Sequence, residues 1–209
     1  MKHLLLLLLA ALPAIPHTIT FDSSVPHLSQ SLNLKLNGNT MDITAGQIGV
    51  RFDDTVPALM FCADPLTWLL LGPTGVTPVP EASFVNGPRL AWLYNTYSPT
   101  LTQAWEASAL QLAIWEVILD NNADNLETGR ARKTEDTEGR VVTLATTMLS
   151  ASAGRSSSGV TFWVPDGGPS TSQTLFAAAI PNIPAPEPMN GVLLGAGLLM
   201  IGALRRRAR

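Results

Sequence analysis

The sequence predicts an α+β fold, in which an antiparallel β core of N-terminal and C-terminal strands receives an inserted helical subdomain. Three observations predict it. Residues 32–36 alternate between apolar and polar side chains, which is the period of a strand. Residues 86–122 carry apolar side chains at helical spacing, and residues 159–180 return to short apolar runs typical of buried strands. A signal peptide and a short C-terminal transmembrane helix are predicted to flank this domain.

The first 16 residues predict a secretory signal peptide. Lys2 and His3 form a short basic start, and the run Leu4–Leu12 is apolar. A run of this length is too short to cross a bilayer, which takes about 20 residues, but it suits a signal peptide. The alternative is a buried apolar N-terminal helix. Ala14 is one candidate for the last residue removed, and we place the ectodomain at residues 17–180.

Strands are predicted on both sides of Asn37-Gly38, a dipeptide typical of two-residue β-hairpin turns. Leucines alternate with polar residues before this turn. The stretch TMDITAGQIGVRF supplies the returning strand and a further strand after Gly46. The apolar stretch ALMFCAD predicts a buried strand that ends at Asp64-Pro65.

Two helices are predicted in the middle of the chain. The first follows Asn86, a candidate N-cap, and carries leucines and tyrosines at positions i, i+3, i+4 and i+7. The second begins near Thr100 and Gln103, whose spacing fits a capping box, and stops at Asn121-Asn122.

The rest of the domain is predicted from composition and period. The polar stretch NADNLETGRARKTEDTEGR indicates a surface loop, and VVTLATTMLSASA indicates a third helix. The stretches GVTFWVPD and SQTLFAAAI indicate the C-terminal strands.

The C-terminal end predicts a spacer and a membrane anchor. Residues 181–188 form a stiff proline-rich spacer, and residues 189–209 form a short transmembrane helix with a basic end. The apolar run Gly191–Leu204 is short for a bilayer at about 1.5 Å per residue, but snorkelling arginines can cover the shortfall. The positive-inside rule keeps those arginines in the cytoplasm and the domain outside.

This tail closely resembles the PEP-CTERM sorting signal of Gram-negative bacteria. The residues that carry the resemblance are Pro186, Glu187, Pro188, Arg205, Arg206, Arg207 and Arg209. The resemblance implies processing near the tripeptide by an exosortase, a membrane cysteine transpeptidase. The protein would then lie transiently in the inner membrane before it reaches the cell surface or the extracellular matrix. An ordinary tail anchor is the alternative.

Charge excludes one class of partner. Residues 15–185 carry 8 lysines and arginines against 15 aspartates and glutamates, a net charge of −7. An acidic surface repels phosphate backbones, so we expect no nucleic-acid binding.

A single cysteine, Cys62, follows Phe61 at the end of a predicted buried strand. One cysteine cannot form a disulfide within the chain, which leaves an inert thiol, an intermolecular disulfide or a thiol used for chemistry. Gln111 lies on the second predicted helix, between apolar residues and ahead of Trp115. An amide buried there without partners costs about 1–3 kcal/mol, so its presence on this helix needs a reason.

These two motifs resemble the signature of bacterial thioester domains, in which a cysteine after an aromatic residue is joined to such a glutamine. The resemblance covers about residues 30–180 and implies an internal thioester between Cys62 and Gln111, with no cofactor and no catalytic turnover. The residues expected around the bond are Phe61, Leu110, Ile114 and Trp115. No histidine is placed as a base, and Tyr94 and Tyr97 are the candidate polar contacts.

Two groups of acidic residues do not predict a functional site. Asp53-Asp54 with Asp64 matches no calcium loop, which favours a solvated turn and no metal site. Glu106 and Glu116 lie about 15 Å apart along a helix, too far for a glycosidase pair, and are interpreted as surface charges.

Three function classes follow. The leading one is an exported adhesion or crosslinking protein that captures a surface or matrix amine or hydroxyl covalently. The alternative is a non-covalent component of the extracellular or biofilm matrix with an inert Cys62. A secreted hydrolase lacks any nucleophile–base motif.

Overall fold

The computed structural model describes residues 17–120, 124–168 and 170–178, which form a mixed α+β fold. The predicted signal peptide, spacer and transmembrane tail lie outside the described residues. In chain order the elements are β1 (His17–Phe21), β2 (Ser29–Leu36), β3 (Asn39–Gly46), β4 (Ile48–Phe52), β5 (Val56–Cys62), β6 (Thr74–Pro80), α1 (Gly87–Tyr97), α2 (Ala104–Leu119), β7 (Ala131–Lys133), α3 (Gly139–Ser152), β8 (Val160–Pro165) and β9 (Leu175–Ala178). No helix within these residues is long and apolar enough to cross a membrane.

Six antiparallel strands close into a barrel in the order β1-β4-β5-β9-β8-β6, and β6 pairs with β1. Closure pairs every backbone edge, which an open sheet cannot do. Side chains that are at most 1% exposed fill the core on these strands, and they include Phe52, Phe61, Phe162 and Phe176. The barrel therefore joins the N-terminal and C-terminal strands, as the sequence predicts.

The remaining strands form a second sheet in the order β3-β2-β7. The hairpin β2–β3 turns at Asn37 (φ 48°) and Gly38 (φ 90°), so both central residues have the positive φ that a type I′ turn requires. Leu36 pairs with Asn39 across this turn, and the register holds to Ser29 and Gly46. The predicted hairpin is confirmed, but it extends a separate sheet and is not part of the barrel.

Helix α2 packs against β2 and β3 on one side and against α1 and α3 on others. Its apolar side chains surround the whole helix, and such a helix is stable only when it is buried on all sides. The three predicted helices are all present, and they lie in the chain between the N-terminal and C-terminal barrel strands.

The predicted capping box at Thr100 is wrong. Residues 98–100 form a separate single turn after α1, in which the Thr100 hydroxyl donates to the Tyr97 carbonyl at 3.0 Å. Gln103 is instead the N-cap of α2, and its backbone N–H donates to the Glu106 carboxylate at 3.0 Å. The box is shifted because the proline-containing turn already uses Thr100.

Asn86 occupies the N-cap position of α1 but does not cap it through its side chain. Its backbone is left-handed (φ 56°), and its amide nitrogen donates to the Val117 carbonyl on α2 at 2.9 Å. This residue therefore joins two helices. Helix α2 itself ends at Leu119, and the predicted stop at Asn121-Asn122 lies outside the described residues.

The predicted surface loop contains the strand β7, which pairs with β2. Ala131 is fully buried there, and the Asp120 carboxylate accepts hydrogen bonds from the backbone N–H groups of Arg130 and Ala131. Polar composition concealed this strand because its charged side chains, on Arg132 and Lys133, are half-buried along the sheet. The sequence analysis also missed strands β1 and β6.

Candidate functional site

Cys62 is the last residue of β5, at one end of the barrel. It pairs with Leu175 of β9, and the next backbone N–H, that of Ala63, donates to the Thr174 carbonyl at 2.8 Å. Cys62 is only 2% exposed. The strand therefore fixes the position of this thiol and the barrel covers it.

The side-chain amide of Gln111 forms two hydrogen bonds with the backbone of Cys62. The Cys62 N–H donates to Gln111 Oε1 at 2.9 Å, and Gln111 Nε2 donates to the Cys62 carbonyl at 2.8 Å. Gln111 lies in the middle of α2 and is 1% exposed. The structure therefore brings the two residues together, and it also supplies partners for the buried amide.

Burial dominates the acid–base chemistry of the thiol and raises the pKa of Cys62 to about 12. The backbone N–H of Asp64 donates to Sγ at 3.3 Å and opposes this effect, whereas the negative charge of Asp64 reinforces it. At neutral pH the group is therefore a protonated thiol and not a thiolate.

Trp115 lies one helical turn beyond Gln111 and is 1% exposed. Its indole group acts to lower the pKa of Cys62, as a weak donor close to sulfur does. The Nε1–H nevertheless forms no hydrogen bond of normal geometry with any described residue. Trp115 is therefore a buried apolar side chain beside the thiol, and its Nε1–H has no hydrogen-bond partner among the described residues.

The other expected neighbours are buried as well: Phe61, Leu110 and Ile114 are at most 1% exposed. The ring of Tyr94 stands 6.0 Å from that of Phe61, centroid to centroid, whereas Tyr97 packs on a different aromatic ring, that of Trp92. Neither tyrosine donates to Cys62 or Gln111 through any hydrogen bond found among the described residues. The residues expected around the pair are therefore all buried, and Phe61 packs among aromatic rings.

Ser108, one turn before Gln111, anchors α2 to the second sheet. Its hydroxyl lies 2.8 Å from the Ala45 carbonyl oxygen of β3 and 2.9 Å from that of Ala104 in its own helix. Sequence reasoning missed this residue, although a serine inside an apolar helix is the type of residue that bonds back to a carbonyl. The anchor helps fix the register of α2 relative to the β structure.

The interpretation of Glu116 as a surface charge is wrong, because its side chain is fully buried. Oε1 accepts from the Asn125 N–H at 2.9 Å. Oε2 makes no hydrogen bond of normal geometry with the described residues, although Asp120 lies close enough to act on it. Burial, followed by the charges of Asp120 and Asp124, raises the pKa of Glu116 to about 8.

The acidic turn has a structural role. Asp53 accepts from His17 Nδ1 at 2.9 Å and from the Thr18 N–H at 2.8 Å, and Asp54 accepts from the Thr20 hydroxyl at 3.1 Å. These contacts tie the β4–β5 turn to β1. Within the described ranges, no group of three acidic, histidine or cysteine side chains is arranged to hold a metal ion.

Comparison with protein-family models, with curated proteins and with solved structures found no match to this chain. The geometry of the Cys62–Gln111 pair is therefore the basis for any functional assignment. The sorting-signal residues Pro186, Glu187, Pro188, Arg205, Arg206 and Arg207 lie outside the described residues.

Proposed function

We propose that this chain is an exported surface or matrix protein that captures a partner covalently through an internal thioester between Cys62 and Gln111. The observation that carries the proposal is the pair of hydrogen bonds, 2.9 and 2.8 Å long, that holds the Gln111 amide against the residue bearing the thiol. A carboxamide is a poor electrophile, so its reaction with a thiol depends on fixed proximity. A strand and a helix of the core provide that fixed proximity.

The thioester forms with loss of ammonia. Sγ of Cys62 adds to Cδ of Gln111, the thiol proton passes to Nε2, and the Cδ–Nε2 bond breaks. The Cys62 N–H that donates to Oε1 is placed to stabilise the negative charge that develops on this oxygen. Because the pKa of the thiol is about 12, its proton must leave as the new bond forms.

Capture of a partner breaks the thioester and releases the Cys62 thiol. A partner amine adds to Cδ, the Cδ–Sγ bond breaks, and Cys62 takes up a proton to become a thiol again. Gln111 then ends as a secondary amide, or as an ester if the nucleophile is a hydroxyl. The buried surroundings of the pair limit hydrolysis until a partner arrives. This is a single event, so the protein is an adhesin or crosslinker and not an enzyme.

A mass spectrum tests the proposal. The protein should be lighter than its sequence mass by one ammonia, and methylamine should add at Gln111 and free one thiol. Cys62→Ala is a matched control because both Gln111 hydrogen bonds end on the backbone of residue 62 and survive the change. That variant should keep its full mass and ignore methylamine. An unmodified wild-type mass, with a thiol that reacts fully once unfolded, would refute the thioester.

The alternative function is a non-covalent matrix component with an inert Cys62. The specific observation that favours it is that the Gln111 amide already has a partner for each end, while the buried thiol is protonated. In that case the pair is a structural joint between β5 and α2. The mass spectrum distinguishes the two functions without further assumptions.

We also propose export and processing by an exosortase, supported by the resemblance of the tail to the PEP-CTERM signal. The full chain should first appear in the inner-membrane fraction of a Gram-negative host. A chain that lacks residues 186–209 should instead be released into the periplasm or medium, because the apolar run and arginines are gone. If the shortened chain stayed with the membrane, the anchor would lie elsewhere.

A further inference from the structure

Strand β3 is an edge of the second sheet, since the order β3-β2-β7 leaves its outer side without a neighbouring strand among the described residues. Leu36 and Asn39 flank a two-residue turn and therefore bond to each other, which directs every second backbone group of β3 toward β2. On the other side of β2, the Asn37 N–H donates to the carbonyl of Arg130, the residue before β7. This is the direction expected if Leu36 bonds to β3. The N–H and C=O groups of Thr40, Asp42 and Thr44 must then face the free edge.

A groove of about 530 Å³ runs along this edge. The four consecutive residues 41–44 all line it. Side chains of a strand alternate between faces, so four consecutive residues share a groove only where it follows the edge of the strand. Its volume is within the range of ordinary binding sites, about 300–1,000 Å³. The groove therefore exposes backbone groups of β3 that have no partner in the part of the chain that the structure describes.

The opposite wall of the groove is an apolar loop that begins three residues after Cys62. Trp68 is 78% exposed, Leu71 is 69% exposed and Leu66 is 45% exposed. Monomeric proteins seldom expose large apolar side chains in such a cluster unless they bind something. An aromatic residue beside unpaired backbone is well suited to a peptide, whose side chains alternate between the two faces of a new strand.

Charge determines which peptide fits. Asp42 is exposed at the middle of the edge and is the one carboxylate in the groove lining. All lysines, arginines, aspartates and glutamates of residues 15–185 lie among the described residues, which therefore carry a net charge of −7. Pairing of β3 with β3 of a second copy would bring two Asp42 side chains and two acidic surfaces together, which is unfavourable. A segment with lysine or arginine on the Asp42 side is favoured.

We infer that β3 accepts an extended basic segment of a partner protein, which adds a strand to the sheet against the apolar loop of residues 65–71. Its backbone would bond to Thr40, Asp42 and Thr44, its cations would face Asp42, and its apolar side chains would face Met41 and Ile43. This docking is non-covalent and does not require the thioester.

Hydrogen–deuterium exchange on the full chain in a non-ionic detergent tests the inference. The probe is a ten-residue peptide of alternating lysine and valine with both ends blocked. Bound peptide should slow exchange of the Thr40, Asp42 and Thr44 amides by about tenfold or more. A peptide with alternate backbone nitrogens methylated should give no protection, since it cannot complete the ladder. A glutamate–valine peptide should also fail, because of the charge on Asp42.

Protein variants separate the explanations. Thr44→Pro removes one outward N–H on an edge strand, where proline is tolerated, and should abolish protection while the thermal midpoint stays near that of the wild type. Asp42→Asn should weaken binding of the basic peptide and reduce its salt dependence. Cys62→Ala should bind as the wild type does, so loss of the thioester and loss of docking can be told apart.

Three results would overturn the inference. The first is equal protection by the methylated peptide, which would show attraction by charge alone. The second is concentration-dependent dimerisation that Thr44→Pro abolishes, which would assign the edge to a second copy. The third is a blue shift of tryptophan emission on phosphatidylcholine vesicles that Trp68→Ala removes, without any amide protection by the peptide, which would assign the loop to lipid.

Discussion

Gln111 and Glu116 are two polar side chains on the same buried helix, and they differ in how the fold treats them. Gln111 is 1% exposed and has one partner for each end of its amide. Glu116 is fully buried, yet Oε2 has no hydrogen bond of normal geometry to the described residues, and its pKa is raised to about 8. Burial therefore costs less for a polar group with a partner at each end than for one with an oxygen that lacks a hydrogen bond.

The surroundings of α2 also differ between Gln111 and Glu116. Around Gln111 the helix faces a strand end that presents a backbone N–H and a carbonyl at the correct spacing for an amide. Around Glu116 it faces two further carboxylates, Asp120 and Asp124, near its C-terminal end. Negative charge is unfavourable at that end of a helix dipole. The first region is suited to fixed geometry, and the second responds to pH.

The largest effect is expected at Trp115, which lies between the two regions. Trp115→Ala should lower the free energy of unfolding by about 3–5 kcal/mol, because it removes a large buried ring and leaves a cavity. Urea unfolding measures the change. Trp68→Ala is the matched control, since that ring is 78% exposed, and it should cost little. Similar small losses for both variants would show that Trp115 does not cover the thiol.

The next largest loss of stability is expected at Gln111. Gln111→Leu should cost about 2–4 kcal/mol, since the Cys62 N–H and carbonyl both lose their buried partner. Cys62→Ala, which keeps these two hydrogen bonds, should cost clearly less in the same urea titration. A Gln111→Leu protein as stable as the wild type would mean that other groups or water satisfy the Cys62 backbone.

The smallest effect concerns Glu116 and depends on pH. Its pKa in the folded state, about 8, lies above the ordinary value of 4.5. The folded chain therefore binds a proton that the unfolded chain releases, and stability should fall as pH rises from about 4.5 to 8 and then level off. At about 1.4 kcal/mol per pKa unit, the difference between 4.5 and 8 sets an upper limit of about 4–5 kcal/mol. Local opening of the structure once Glu116 ionises lowers this cost, so Glu116→Gln should raise stability at pH 8 by about 2–3 kcal/mol.

The same variant should have almost no effect at pH 4, where Glu116 is protonated in both states. Thermal unfolding across pH 4–9 makes the comparison, with Glu106→Gln as the control. Glu106 is partly exposed and its pKa is lowered by hydrogen bonds from Thr102 and Gln103, so its stabilisation is lost as pH falls. A Glu116→Gln protein with the full wild-type slope between pH 5 and 8 would contradict the assignment.

The sequence alone determined those parts of the molecule that local chemistry dictates. The Asn37-Gly38 turn, the alternating leucines before it and the apolar circumference of α2 each have one stable solution, and each was correctly predicted. The pairing of Cys62 with Gln111 was expected from their motifs, and the structure places them in hydrogen-bond contact. Loss of one ammonia from the mass of the protein is the measurement that reports a thioester between them.

Only the tertiary structure decided the rest, because the forces involved act between distant segments. Strand β7 is polar in sequence and exists because β2 offers it an edge. Strand β1 is stabilised by its pairing with β4 and β6 and by the contact between His17 and Asp53. Glu116 is of a residue type that normally lies in water, and it is buried because other elements surround α2. Local sequence sets each preference, and the packing of the whole chain decides which of them prevails.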